Sequence, residues 1–221
     1  MQRCDVLSDY ASIHTKFFGM KTDFFSLSER SGLTNSHKQE LWTTLQTAHC
    51  QAHRHYHTLA HLQTMLRLTD QFVGQLGKPD LVRWCIWFHD AVYKPLRSDN
   101  EQRSAALAVT HLQNTLPGNH LKTIEDFILA TKNHEPADQS DLRYFLDFDL
   151  WILGQTPEEY QRYAEQVRQE FRKVPGLLYR RGRKKVLRHF LEQETIYQTE
   201  TFRQRYEGSA RQNLESELKS Y

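Results

Sequence analysis

The sequence predicts an all-α fold, a helical bundle of about nine helices, and three observations carry that prediction. Gly (9) and Pro (6) make up few of the 221 residues, too few for a chain built on many tight turns. Apolar residues recur at three- and four-residue spacing, the period of one helical face. The Gly and Pro fall between those stretches, at Gly77-Lys78-Pro79, Pro117-Gly118, Glu135-Pro136, Gly154 and Pro175-Gly176. Helices are accordingly expected at 36–51, 57–76, 79–92, 100–115, 120–133, 140–153, 157–173, 180–198 and 200–219. Ser36 reads as the cap of the first, with Gln39 three residues on. The second carries the stripe His61, Met65, Leu68 and Phe72, and the third the stripe Val82, Cys85, Ile86 and His89. The fourth contains the apolar run 105–109, and the fifth stops before Glu135-Pro136. The sixth buries Leu142, Phe145, Leu146, Asp149, Ile152 and Leu153, and Thr156-Pro157-Glu158-Glu159 starts the seventh with Thr as cap and Pro first in the helix. Residues 1–33 lack a clear period and are expected to be an N-terminal extension with room for one short helix, ahead of a single helical domain over 34–221.

Composition excludes several classes of function. With 38% apolar, 12% aromatic and 25% charged residues the chain is neither disordered nor collagen-like. Its longest apolar runs, 84–88 and 105–109, fall far short of the roughly 20 residues of a membrane helix. The first residues interleave Arg3, Asp5, Asp9, His14 and Lys16 with apolar positions, unlike a secretory signal, so the chain reads as cytoplasmic. Cys4, Cys50 and Cys85 form no C-x-x-C pair and indicate neither a disulfide framework nor a thiolate zinc site. A net charge of +2 makes no global case for nucleic acid or an acidic membrane.

Polar residues on apolar helix faces carry the chemistry. Asp149 shares a face with Phe145, Leu146 and Leu153, and a buried carboxylate requires a cation or several donors. Asp147 falls on the side of Arg143 and Tyr144 and reads as solvated. His57 and His61 lie one turn apart and look inward together, and His89 does the same with Asp90 beside it. Imidazole and carboxylate without sulfur, brought together from facing helices, suit a divalent metal: iron, manganese, magnesium, cobalt, nickel or zinc. Such an ion lowers the pKa of water to about 7, which points to hydrolysis. A metalloprotease is excluded, because the stretch from His57 to His61 lacks the glutamate of H-E-x-x-H.

The ordered set His61, His89-Asp90 and Asp149 resembles the H…HD…D signature of the HD-domain superfamily of metal-dependent phosphohydrolases. The stretches 54–62, 88–93, 100–105, 130–134 and 147–154, with Gly182-Arg183 and 210–214, are similar to a bacterial subfamily of predicted HD phosphohydrolases. The resemblance runs from about Trp42 to Leu218. It implies a helical bundle in which His61, His89, Asp90 and Asp149 hold the metal. His57 and Asp90 are the expected catalytic residues, His57 as the acid that protonates the leaving oxygen. It also implies a helix break near Arg54, which interrupts the four-residue spacing of His49, His53, His57 and His61.

Two readings stand for His134, a ligand of a second metal or a cation at a helix C-terminus. Two stand for Glu101, a second-metal or supporting carboxylate or the Glu of a capping box begun by Ser98. Arg54, Lys132 and Arg183 are expected to meet the substrate phosphate, which needs fixed positive charge. Residues 162–188 hold ten Lys and Arg against Glu165 and Glu170, mostly a solvated face; no aromatic stacking module accompanies them, so nucleic acid is not the expected partner. The expected substrate is a phosphate ester of a nucleotide or small phosphorylated metabolite. The alternative is a metal-containing module that senses a nucleotide without turnover. The oligomeric state is open.

Overall fold

The apolar run 84–88 is buried at every position, so the helix that carries it has neighbours on all sides. In a computed structural model the described residues, 19–221, form ten helices and no strand. They are α1 (19–30), α2 (Asn35–His49), α3 (Leu59–Gln71), α4 (Pro79–Phe88), α5 (Asn100–Leu112), α6 (Gly118–Ala130), α7 (Ser140–Asp149), α8 (Pro157–Glu170), α9 (Gly176–Glu192) and α10 (Glu200–Lys219). Short 3-10 turns lie at Val73–Gln75 and Leu150–Gly154. Helix α4 packs against α3, α5, α6 and α7. The N-terminal extension expected over 1–33 lies outside the described residues as far as residue 18. From there on, Met20, Phe24, Leu27 and Leu33 enter the core, where the Phe24 ring lies 5.6 Å from Trp42, 5.8 Å from Trp84 and 5.1 Å from Trp87. No helix among the described residues is long and apolar enough to cross a membrane.

Where helix ends differ from expectation, side chains compete with the backbone ladder. Helix α2 is capped by Thr34, whose Oγ1 accepts from the His37 amide at 3.3 Å, and not by Ser36. The helix expected from 57 begins at Leu59, because Thr58 is extended and its Oγ1 accepts from the Ala60 amide. His57 therefore sits in the preceding loop, not on the helical face. Helix α4 stops at Phe88 and not at 92: the Asp90 and Ala91 carbonyls accept from Arg54, and Pro95 has no amide to offer Ala91. Helix α9 starts at Gly176, directly after Pro175, and ends at Glu192. The segment beyond it is clamped by carboxylates, Glu207 accepting from the Ile196 and Tyr197 amides and Asp147 from those of Gln198 and Thr199. Asp147 is thus fully buried and holds Thr199, the residue that caps α10, contrary to the solvated placement; burial pushes its carboxyl up to about 6 against the hydrogen bonds from Thr199 and Gln198. The capping box of Thr156 and Glu159 forms as expected.

The turn that follows Asp149 is seated on α10 by Gly154. A Cβ there would meet Tyr206 Cβ at 2.5 Å, Tyr197 Oη at 2.8 Å and the Tyr206 carbonyl at 2.9 Å. Gly154→Ala is expected to destabilise the fold by roughly 3 kcal/mol through overpacking, read as a lowered urea midpoint.

Candidate metal centre

Three helices end or begin at one point. His61 lies in the first turn of α3, His89 and Asp90 directly follow α4, and Asp149 is the last residue of α7. The Nε2 atoms of His61 and His89 are 3.3 Å apart. Asp149 Oδ1 is 3.1 Å from the first and 3.7 Å from the second, and Asp90 Oδ2 is 3.3 Å from His89 Nε2. Donor atoms of His61, His89 and Asp90 all fall within 4.8 Å of one another, so this buried cluster could hold a metal ion.

The donor set fits that role. His89 Nδ1 lies 2.9 Å from the Ile86 carbonyl; a proton on Nδ1 bonded there leaves the lone pair on Nε2, facing the cluster. Helices α4 and α7 finish here while α3 begins here, so their end charges partly offset one another, and the two carboxylates are what favour a cation. Burial would raise Asp90 and Asp149, but the facing imidazoles outweigh it and hold both well below the carboxylate range. Burial would likewise lower His89, yet Asp90 and Asp149 push it well above its ordinary value; for His61 burial wins and the shift is downward.

His134 joins the site. Its Nε2 is 3.0 Å from Asp149 Oδ2, and its backbone adopts φ +53°, left-handed and unusual for a residue other than glycine. The amide closes the end of α6 on the Ala130 carbonyl, so the strained conformation turns the ring back onto Asp149. Glu101 is in the first turn of α5 and is not in the cluster; the residue at the cap is Asp99, with no side-chain cap bond, so the capping box from Ser98 does not form.

His57 stands beside the cluster, held by a residue that the sequence reading passed over. Glu170, the last residue of α8, is 5% exposed. One of its oxygens accepts from the amides of His55, Tyr56 and His57 at 2.8, 2.9 and 3.1 Å. The other is 2.7 Å from His57 Nδ1 and accepts from the Tyr93 hydroxyl at 2.7 Å. Burial opposes the charge on Glu170, but His57, the backbone amides and Tyr93 bring its carboxyl down to about 2. In turn, burial would lower His57, while Asp90, Glu170 and Asp149 together raise it. The Tyr56 ring packs against His57, His61 and Tyr163 and walls the cluster.

Two of the three cations expected to meet phosphate are placed otherwise. Arg54 is 5% exposed and donates to the carbonyls of His57, Asp90 and Ala91, so it ties the loop before α3 to the loop after α4. Arg183 is buried and makes a two-pronged ion pair with Glu217, 2.8 Å at each nitrogen, with its guanidinium over Tyr163. Lys132 alone lines the cleft above the cluster, a space of about 500 Å³ that also exposes His57, His134 and Asp149. The histidine stripe is broken between α2 and α3; His49 is buried in α2 with both ring nitrogens unpaired, and burial pushes it down to about 3. His53 stacks on Tyr93 and lies 2.9 Å from its carbonyl.

No family model, no curated protein and no solved structure matches this chain.

Proposed function

We propose that this chain is a metal-dependent phosphohydrolase of the HD-domain kind, acting on a phosphate ester of a nucleotide or other small phosphorylated metabolite. The observation that carries the reading is the convergence of His61, His89, Asp90 and Asp149 at the ends of α4 and α7, beside a histidine tethered by a buried glutamate. A divalent ion held by those four residues supplies Lewis acidity and acidifies water at neutral pH. His57 keeps one ring proton on Nδ1 against Glu170, so a second proton, on Nε2, is the one available to a leaving oxygen. Burial opposes that protonated form, and Asp90, Glu170 and Asp149 together outweigh it and raise the imidazole above its ordinary value. Arg54 fixes the height of the His57 loop relative to Asp90, and Lys132 offers positive charge at the cleft mouth. His134 orients Asp149 from the far side.

The test is release of inorganic phosphate from p-nitrophenyl phosphate and a nucleotide panel, with each candidate ion in turn. Turnover that a chelator abolishes is expected, and Asp149→Asn, which keeps the shape, should lower it at least a hundredfold with helical circular dichroism unchanged. A variant as active as the wild type would overturn the reading. So would tight nucleotide binding with full metal occupancy and no product, the behaviour of a sensing module.

A further inference from the structure

The cleft above the cluster is chemically two-ended. His57, His134 and Asp149 line it together with Lys132 after α6 and with Lys185, Val186, His189 and Phe190 on α9; the Phe190 ring stands 5.9 Å from that of His134, and Val186 and then Lys185 lie a turn or more back along the helix. Asp149 is the only carboxylate among the lining residues, and it is already engaged by His61 and His134. Lys132 donates to a neutral partner, the Ser98 carbonyl at 2.8 Å. Lys185 is exposed and its ammonium makes no hydrogen bond or ion pair among the described residues. Two residues apart on the same helix, the cations contrast, for Arg183 is neutralised by Glu217 whereas the Lys185 ammonium has no acidic partner beside the cleft.

Val186 and Phe190 supply apolar surface on the same helix as the Lys185 ammonium, facing the cleft.

We propose that the cleft takes a doubly phosphorylated small molecule, with one phosphate at the His-Asp cluster, the second at Lys132 and Lys185, and an apolar ring between them against Val186 and Phe190. This rests on the hydrolase reading only for which phosphate is cleaved; the binding preference stands without turnover. A second charge-assisted contact is worth about tenfold or more in affinity.

The experiment is calorimetric binding of two probe pairs to the full chain: phenyl phosphate against 1,4-phenylene bisphosphate, and adenosine 5′-monophosphate against adenosine 3′,5′-bisphosphate. In at least one pair the bisphosphate should bind about tenfold tighter or more, and Lys185→Ala and Lys132→Ala should each reduce that preference to below about threefold. Arg180→Ala removes an equal charge from α9 at an exposed position five residues before Lys185 and outside the cleft lining, and should keep the preference. Equal binding within both pairs, a preference that survives loss of either lysine, or an equal fall in Arg180→Ala would each overturn the proposal. Preference without phosphate release under any ion would leave this proposal standing and remove the hydrolase reading. Release without preference would do the reverse.

Discussion

If the proposed function holds, His57→Ala is expected to lower turnover of an alkyl phosphate ester by about a hundredfold to ten-thousandfold, the range for loss of a positioned acid, and to leave metal binding in place. The geometry requires both halves of that result. His57 is fixed through Nδ1 to Glu170 and through its backbone to Arg54 and Glu170; its ring stands edge-on to that of His61, 6.1 Å between centroids, and no hydrogen bond among the described residues joins it to His61, His89 or Asp90. Removing the imidazole therefore removes the proton and leaves the donor set in place. The substrate distinguishes this from a general disturbance of the site. A p-nitrophenyl ester, whose leaving group departs without a proton, should lose far less rate than the alkyl ester. Equal losses for the two esters would show that His57 is not the acid.

Glu170→Gln is expected to act on stability and on the acid together. The carboxylate is pulled from 4.5 down to about 2, so it contributes stability above pH 4.5 that is lost as pH falls from there toward 2. The linked contribution is on the order of 3 kcal/mol. The difference in urea midpoint between wild type and variant should be full at pH 7 and shrink across that window. In the variant the amide oxygen can still accept from the 55–57 amides, but its amino group faces His57 Nδ1 where a donor was accepted. The protonated imidazole loses its counter-charge, its pKa falls, and the alkaline limb of the kcat profile moves to lower pH. A Glu170 whose role was only to hold the loop would change stability and leave that limb where it is.

Much of the fold and of the buried polar cluster was legible because both rest on one signal, the spacing of apolar residues. His61, His89 and Asp149 were visible as polar positions inside otherwise apolar stripes, and Asp90 by adjacency to His89. Helix ends were less legible. Thr58, Arg54 and Pro95 decide them through bonds to backbone groups, and only Pro95 announces its effect in sequence. Arg54 and Arg183 looked like phosphate ligands because charge says nothing about which acceptor a guanidinium reaches; one meets three carbonyls, the other Glu217. Glu170 lies more than a hundred residues from the loop it holds. The available hint was an acid in the last turn of α8, at the end of a helix dipole that disfavours it, inside a strongly basic stretch. Asp147 was misplaced for a similar reason, since its partners at Gln198 and Thr199 belong to a distant turn.

The most direct test of the central claim is elemental analysis of the purified chain beside Asp149→Ala, both reconstituted under metal-replete conditions. Stoichiometric divalent metal in the wild type and none in the variant, with equal helical content, is the predicted result. A wild-type chain that takes up no ion in the analysis or in titration with magnesium and manganese, or a variant that retains as much as the wild type, would contradict it.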